Sequence, residues 1–222
     1  MIQAIIYDMD GLLVDSEPLW REAEIRIFKK VGIALTDAHC RQTMGLRLDE
    51  VVQHWYQLHP WNGPSPKEVE TWILDEMERL LRKKAIALPG VYQSMELFAQ
   101  QGLPMALASS SPMQLIHAVV EKLNIVSQLS IIQSAENEAL GKPHPSVFLS
   151  TAHALGVPPV NCLVFEDSVN GVIAALAARM KVVAIPDTEQ SNDPRFVVAH
   201  LRLPSLEAFS KTHLNAFTKA TL

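Results

Sequence analysis

The sequence predicts an α/β protein, a doubly wound parallel sheet interrupted by an all-helical insert. Three observations lead there. Short, continuous apolar runs rich in β-branched residues recur along the chain, as expected of strands covered on both faces. Helical periodicity separates the last four of them. Between the first and second runs lie about 95 residues, too many for a loop, and their pattern is helical.

The strand runs are "AIIYD" (4–8), "PMALAS" (104–109), "SIIQSA" (130–135), "CLVFED" (162–167) and "KVVAIP" (181–186). Leu115, Ile116, Val119, Val120 and Leu123 recur at helical spacing, and "GVIAALAARM" (171–180) reads as a helix of small residues. Strand and helix alternating in this way imply right-handed crossovers and a Rossmann-like core. The expected division is a core of residues 1–16 and 84–222 with a helical cap of residues 17–83. All four tryptophans, Trp20, Trp55, Trp61 and Trp72, fall in that cap. Its clearest helix start is "SPKE", with Ser65 as N-cap, Pro66 in the first turn and Glu68 closing a capping box. Val69, Trp72, Ile73, Met77, Leu80 and Leu81 then share one face.

At 222 residues the chain is long enough to bury about 70% of its unfolded surface without staples. Cys40 and Cys162 lack CxxC spacing and are expected to be buried, reduced thiols of a soluble, cytoplasmic protein with no signal peptide. No apolar stretch reaches the roughly 20 residues a membrane helix needs. The net charge of −5, with scattered Lys and Arg, disfavours nucleic acid but leaves room for a small anion held locally. The expected state is a monomer.

The chemistry concentrates where strands end. Asp8 and Asp10 follow the first strand, Ser109 ends the second, and Glu166 and Asp167 end the strand at 162. In open α/β sheets the ligand crevice lies beyond those carboxyl ends. A dinucleotide is disfavoured, because the first turn holds the single Gly11 in place of GxGxxG. Four carboxylates in one crevice repel strongly, by roughly 4 kcal/mol per pair at about 4 Å. A hard divalent ion such as Mg²⁺ would relieve them; taken alone, Asp8 reads more readily as a helix or turn cap, and it is the second acidic pair at another strand end that favours the metal. "SSSPMQ" (109–114) places Ser111, Pro112 and Gln114 as a helix start, whose N-terminus would offer an anion site beside the metal. Lys142, in "GKPHP" (141–145), is either a solvated loop lysine or the positive charge that lets a phosphate approach a carboxylate. His144 reads as a helix-start residue and His117 as a surface one.

Together "DMDGLLVDSEP", "LASSS", "GKPHP" and "FEDSVNG", in this order, resemble the motifs of the haloacid dehalogenase superfamily of Mg²⁺-dependent phosphotransferases. The insert resembles its small C1 cap in the β-phosphoglucomutase and 2-deoxyglucose-6-phosphatase branch. "DSEPLW", "PWNGPS" and "NDPRF" are similar to bacterial phosphatases of hexitol phosphates and 2-deoxyglucose-6-phosphate. The resemblance implies Asp8 as nucleophile and Asp10 as general acid and base, with Asp10 also lending a backbone carbonyl to Mg²⁺. It further implies Ser109, the N–H of Ser110, and Lys142 around the phosphoryl oxygens, Asp167 and Glu166 on the metal, and Asn170 orienting Lys142 or substrate. Glu17, Leu19, Trp20 and Arg47 are the cap candidates for substrate choice. Asp10 argues for phosphate chemistry over dehalogenation, and Trp20, where the mutases carry a cap histidine, favours water as acceptor. The expected function is a sugar or sugar-alcohol phosphate phosphatase with an aspartyl-phosphate intermediate. A hexose phosphomutase and a non-catalytic phosphosugar-binding protein are the alternatives.

Overall fold

The computed structural model describes residues 1–43, 47–187 and 190–219. The chain forms two compact units, one of Met1–Asp15 with Ile86–Leu222 and one of Ser16–Ala85.

The larger unit is an α/β core. Its strands are β1 (Ala4–Tyr7), β2 (Met105–Ser109), β3 (Ile131–Ser134), β4 (Cys162–Glu166), β5 (Lys181–Ala184) and β6 (Leu201–Arg202). They pair in the order β3-β2-β1-β4-β5-β6, and every pairing is parallel. β1, β2 and β4 are buried throughout, the reason their sequences are unbroken apolar runs rather than alternating ones. On one face Ala4, Ile6, Ala106, Ala108 and Val164 pack with Val147 and Phe148 of a helix at Ser146–Leu155 and with Val172 and Ala175 of one at Val169–Ala177. On the other, Tyr7 stacks on Phe165 at 5.4 Å and meets Phe98 of a helix at Val91–Gln100, while Phe209 closes on Phe165 at 4.9 Å. Tyr7 needs a partner for its buried hydroxyl and donates to Ser94 Oγ at 3.0 Å. The strand order reverses direction at β1, so the carboxyl ends of β1 and β4 flank the switch point where such sheets bind ligands.

Arg179 follows the helix Val169–Ala177 at φ +63°. Met180 N donates to Ala175 O and Arg179 N to Leu176 O, the paired bonds of a left-handed helix stop that glycine usually occupies.

The smaller unit is helical: α1 (Glu17–Lys30), α2 (Asp37–Cys40), α3 (Leu48–Leu58) and α4 (Pro66–Lys84), with α4 packed against both α1 and α3. Following these in the larger unit come α5 (Val91–Gln100), α6 (Met113–Lys122), α7 (Ser146–Leu155), α8 (Val169–Ala177) and α9 (Lys211–Lys219). The start of α4 is the capping box that "SPKE" predicts, Ser65 Oγ accepting from Glu68 N and Glu68 accepting from Ser65 N. Val69, Ile73, Met77, Leu80 and Leu81 are its buried face; Trp72 is half-buried, with Lys30 Nζ 5.9 Å from its ring centre. Among the described residues no helix is long and apolar enough to cross a membrane. Both cysteines are free and buried, and burial pushes their thiols up, to about 12 at Cys40 and about 11 at Cys162.

Glu24, on α1, is buried, and its Oε2 has no hydrogen-bond partner among the described residues. Burial pushes its carboxyl up to about 7, against the pull of the Cys40 thiol. The folded state therefore prefers the neutral acid. Its contribution to stability is complete below the ordinary carboxyl range, near pH 4.5, and is lost as pH rises through about 7. Glu24→Gln removes that slope. Thermal melts are expected to show the variant more stable than wild type by roughly 2–3 kcal/mol at pH 8 and equal to it near pH 4.5.

Candidate active site

Asp8 stands one residue beyond β1, its N–H still paired to the Phe165 carbonyl of β4 at 3.0 Å. The sheet thereby fixes its backbone, and its carboxylate is 6% exposed. The chain then turns sharply. Gly11 adopts φ +74°, and a Cβ there would lie 2.1 Å from Asp167 Oδ2. Glycine is required at this turn both for the backbone angle and for the room it leaves a carboxylate.

Ser109 ends β2 and is buried. Its Oγ accepts from Ser111 N at 3.0 Å and approaches Asp10 Oδ2 at 3.4 Å, while Ser111 Oγ donates to the same Asp10 oxygen at 2.7 Å. The local reading of Ser111 as a helix cap is thus replaced: the residue preceding α6 is Pro112, which makes no side-chain cap bond. The hydroxyl is drawn instead to a carboxylate 101 positions away in sequence.

Lys142 reaches in from the loop between β3 and α7. Its ammonium donates to Asp8 Oδ1 at 2.5 Å, Glu166 Oε1 at 2.7 Å and the Ala108 carbonyl at 3.0 Å, so all three of its N–H groups are engaged. The Phe148 ring centre lies 4.8 Å from Nζ and shields the group. Of the two readings of this lysine, the solvated one does not hold: its side chain is only 6% exposed.

Glu166, the last residue of β4, is fully buried. One oxygen holds Lys142; the other accepts from Ser168 N at 3.1 Å and Ser168 Oγ at 3.0 Å. Ser168 is in turn the N-cap of α8, accepting from Gly171 N at 3.0 Å. A Cβ at Gly171 would sit 1.8 Å from Glu166 Oε1, so any larger residue there displaces this carboxylate.

The charges do not balance. Burial first, and then the neighbouring Glu166 and Asp10, push the Asp8 carboxyl up to about 8 even though Lys142 pulls it down. Burial and the carboxylates of Glu166 and Asp8 likewise hold Asp167 well above the usual range. Burial disfavours the charge on Lys142, yet Asp8 and Glu166 outweigh it and hold the ammonium above its ordinary value. Asp8, Glu166 and Asp167 each offer an oxygen, all within 4.8 Å of one another. Three hard oxygen donors, partly buried and under-compensated by one ammonium, fit a divalent cation of the Mg²⁺ type.

The structure therefore brings together Asp8, Asp10, Ser109, Lys142, Glu166 and Asp167 from four separate segments. Ser110 lies exposed beside Ser109, and Asn170 is exposed on α8, Lys142 being oriented by Glu166 and the Ala108 carbonyl. Glu17, Leu19, Trp20 and Arg47 belong to the helical unit. There Glu17 starts α1, Leu19 is buried, Trp20 is half-buried, and the exposed Arg47 precedes α3 and pairs with Asp49. Residue-by-residue reading missed Ser111 and Ser168 as site residues. "FEDS" carries a signal for Ser168, a hydroxyl two positions after a buried strand-end acid; Ser111 carries none.

Residues 5–185 match the family of haloacid dehalogenase-like hydrolases. Hexitol phosphatase B of Escherichia coli K12 is 43% identical over 206 residues, covering 92% of this chain and 93% of that protein. Two solved structures share the fold. One is a variant of CbbY from Rhodobacter sphaeroides in complex with xylulose-(1,5)bisphosphate, with a TM-score of 0.84 at 21% identity over 94% of this chain and 96% of that one. The other is a beta-phosphoglucomutase from Clostridium difficile, with a TM-score of 0.80 at 23% identity over 98% and 97%. With its acidic strand ends, buried lysine and six-stranded parallel sheet all in place, this chain belongs to the haloacid dehalogenase-like hydrolase family.

Proposed function

We propose that this hydrolase is a Mg²⁺-dependent phosphatase of sugar or sugar-alcohol monophosphates, working through an aspartyl phosphate on Asp8. The observation that carries the reading is the Lys142 ammonium bound at once to Asp8 and Glu166, beside Asp10 on its two serine hydroxyls. The substrate class is supported by the 43% identity to a hexitol phosphatase.

Asp8 attacks phosphorus as a carboxylate, and the bond to the leaving alcohol oxygen breaks. Asp10, protonated, gives that oxygen its proton, so the sugar departs as a neutral alcohol. The carboxylate that remains on Asp10 then takes a proton from water, whose oxygen attacks the phosphorus of the acyl phosphate; inorganic phosphate leaves and Asp8 is restored. Ser109, the Ser110 N–H and Lys142 hold the phosphoryl oxygens throughout. Asp8, Asp167, the Asp10 carbonyl and Glu166, directly or through water, would hold Mg²⁺, which supplies Lewis-acid charge to the phosphoryl oxygens. For choice of sugar the resemblance offers Glu17, Leu19, Trp20 and Arg47, and for Asn170 a supporting part at the phosphate. We place the enzyme in the cytoplasm, as a monomer.

The test is release of inorganic phosphate from a panel of hexitol and hexose phosphates. With Mg²⁺ the chain is expected to turn over several of them, and EDTA is expected to lower the rate by at least about 100-fold, reversed by added Mg²⁺. Turnover that persists in EDTA refutes the metal dependence, and isomerised sugar phosphate without free phosphate refutes hydrolysis in favour of a mutase.

A further inference from the structure

The segment 109–111 carries the hydroxyls that face Asp10 and leads from the end of β2 towards α6. What steadies it comes from the neighbouring strand. Ser134, the register partner of Ser109 across β2 and β3, is buried and donates its hydroxyl to the Ser111 carbonyl at 2.7 Å. Ser134 Oγ in turn accepts from Glu136 N at 3.0 Å. Glu136 Oε2 then accepts from Met113 N, the first amide of α6, at 3.0 Å. Pro112 ahead of it makes no side-chain cap bond, so the carboxylate does from a distance what a local cap would do. Two residues, Ser134 and Glu136, thus grip 111–113 at both ends. The grip is passed on by Ser111 Oγ, 2.7 Å from Asp10 Oδ2.

We infer that Glu136, with Ser134, is a positioning residue: it fixes the phosphoryl-holding segment against β3 and so sets where Ser109, Ser110 and the Asp10 carboxylate stand during transfer. The inference rests on the phosphatase reading above. Glu136 is exposed and touches none of the proposed reacting atoms, so its effect is expected in turnover rather than in the stability of the fold. Misplacing such groups by a fraction of an ångström is costly to rate while leaving substrate binding nearly intact.

The experiment compares Glu136→Ala with Glu136→Gln, whose amide oxygen still accepts from Met113 N. Glu136→Ala is expected to lower kcat roughly 10-fold with KM for a hexitol phosphate within about twofold and Tm lower by no more than about 4 °C, the cost of a lost cap. Glu136→Gln is expected to keep at least about half of kcat, and Ser134→Ala combined with Glu136→Ala to lose less than the product of the single effects. Hydrogen exchange at the Met113 amide is expected to quicken in Glu136→Ala and not in Glu136→Gln. Wild-type kcat in Glu136→Ala, equal loss in the two Glu136 variants, or a loss of rate that tracks a loss of Tm would each overturn the proposal. If the wild-type chain releases no phosphate from any ester, the phosphatase reading falls. The exchange readout still decides the grip in that case: unaltered Met113 protection in Glu136→Ala overturns it, and faster exchange upholds it.

Discussion

Asp8→Asn is expected to lower phosphate release by at least about 10³-fold while leaving a folded protein. An amide has no nucleophilic carboxylate to attack phosphorus, whereas its shape and its acceptor oxygen are those of the original, so the hydrogen bond from Lys142 Nζ survives. The fold tolerates the change because the native charge is itself costly. Burial pushes the Asp8 carboxyl up to about 8, which means that its contribution to stability is complete below the ordinary carboxyl range and is lost as pH rises towards 8. Melting at pH 8 in the absence of divalent ions should therefore show Asn no less stable than Asp. A variant that keeps a tenth of wild-type turnover, with the same metal dependence, would remove Asp8 from the role of nucleophile.

Lys142→Met should damage both fold and activity. The methionine fills similar space but leaves Asp8 and Glu166 buried beside each other without their shared ammonium. Removing one partner of a buried ionic cluster costs about 3–5 kcal/mol, which lowers Tm by roughly 10 °C in a chain of this size. The penalty should shrink as pH falls, since protonating Asp8 removes one of the charges left unpaired, and added Mg²⁺ should recover part of the Tm by supplying a substitute cation. Turnover is expected to drop at least about 100-fold even with Mg²⁺ saturating, because methionine offers no N–H to the phosphoryl oxygens. Lys142→Arg is expected to rescue neither property: a planar fork does not satisfy three acceptors that converge on one nitrogen. Wild-type Tm in Lys142→Met at pH 8 would show that the carboxylates are already compensated by something else.

The strands that form the centre of the sheet were legible because burial on both faces leaves a continuous apolar run in sequence. The fully buried β1, β2 and β4 are such runs, each ending in or followed by a polar residue that the switch point then collects. The start of α4 was legible because Ser65 and Glu68 complete their bonds within four residues. β6 was not: at two residues, Leu201 and Arg202, it has no period to detect and exists because β5 offers it an edge. α2, four residues long, is in the same position.

The site divides along the same line. The candidates Asp8, Asp10, Ser109, Glu166 and Asp167 followed from residue type and from place at strand ends, since parallel strands deliver those ends to one edge, whereas Lys142, in a loop, stood between two readings that only its burial separates. Which of their neighbours hold them still did not follow. Ser111 reads locally as a cap, yet bonds to Asp10; nothing local marks Glu136, which accepts from the first amide of a helix 23 positions back. The sequence by itself determined the layer architecture and which acidic and hydroxyl groups stand at the strand ends, because hydrophobic period and strand termini are local properties. Only the tertiary structure decided that one ammonium would satisfy Asp8, Glu166 and the Ala108 carbonyl at once, and that glycine at 11 and 171 would leave room for two carboxylates. Those outcomes depend on distances of 2 to 3 Å between segments far apart in the chain, and such distances are set by packing.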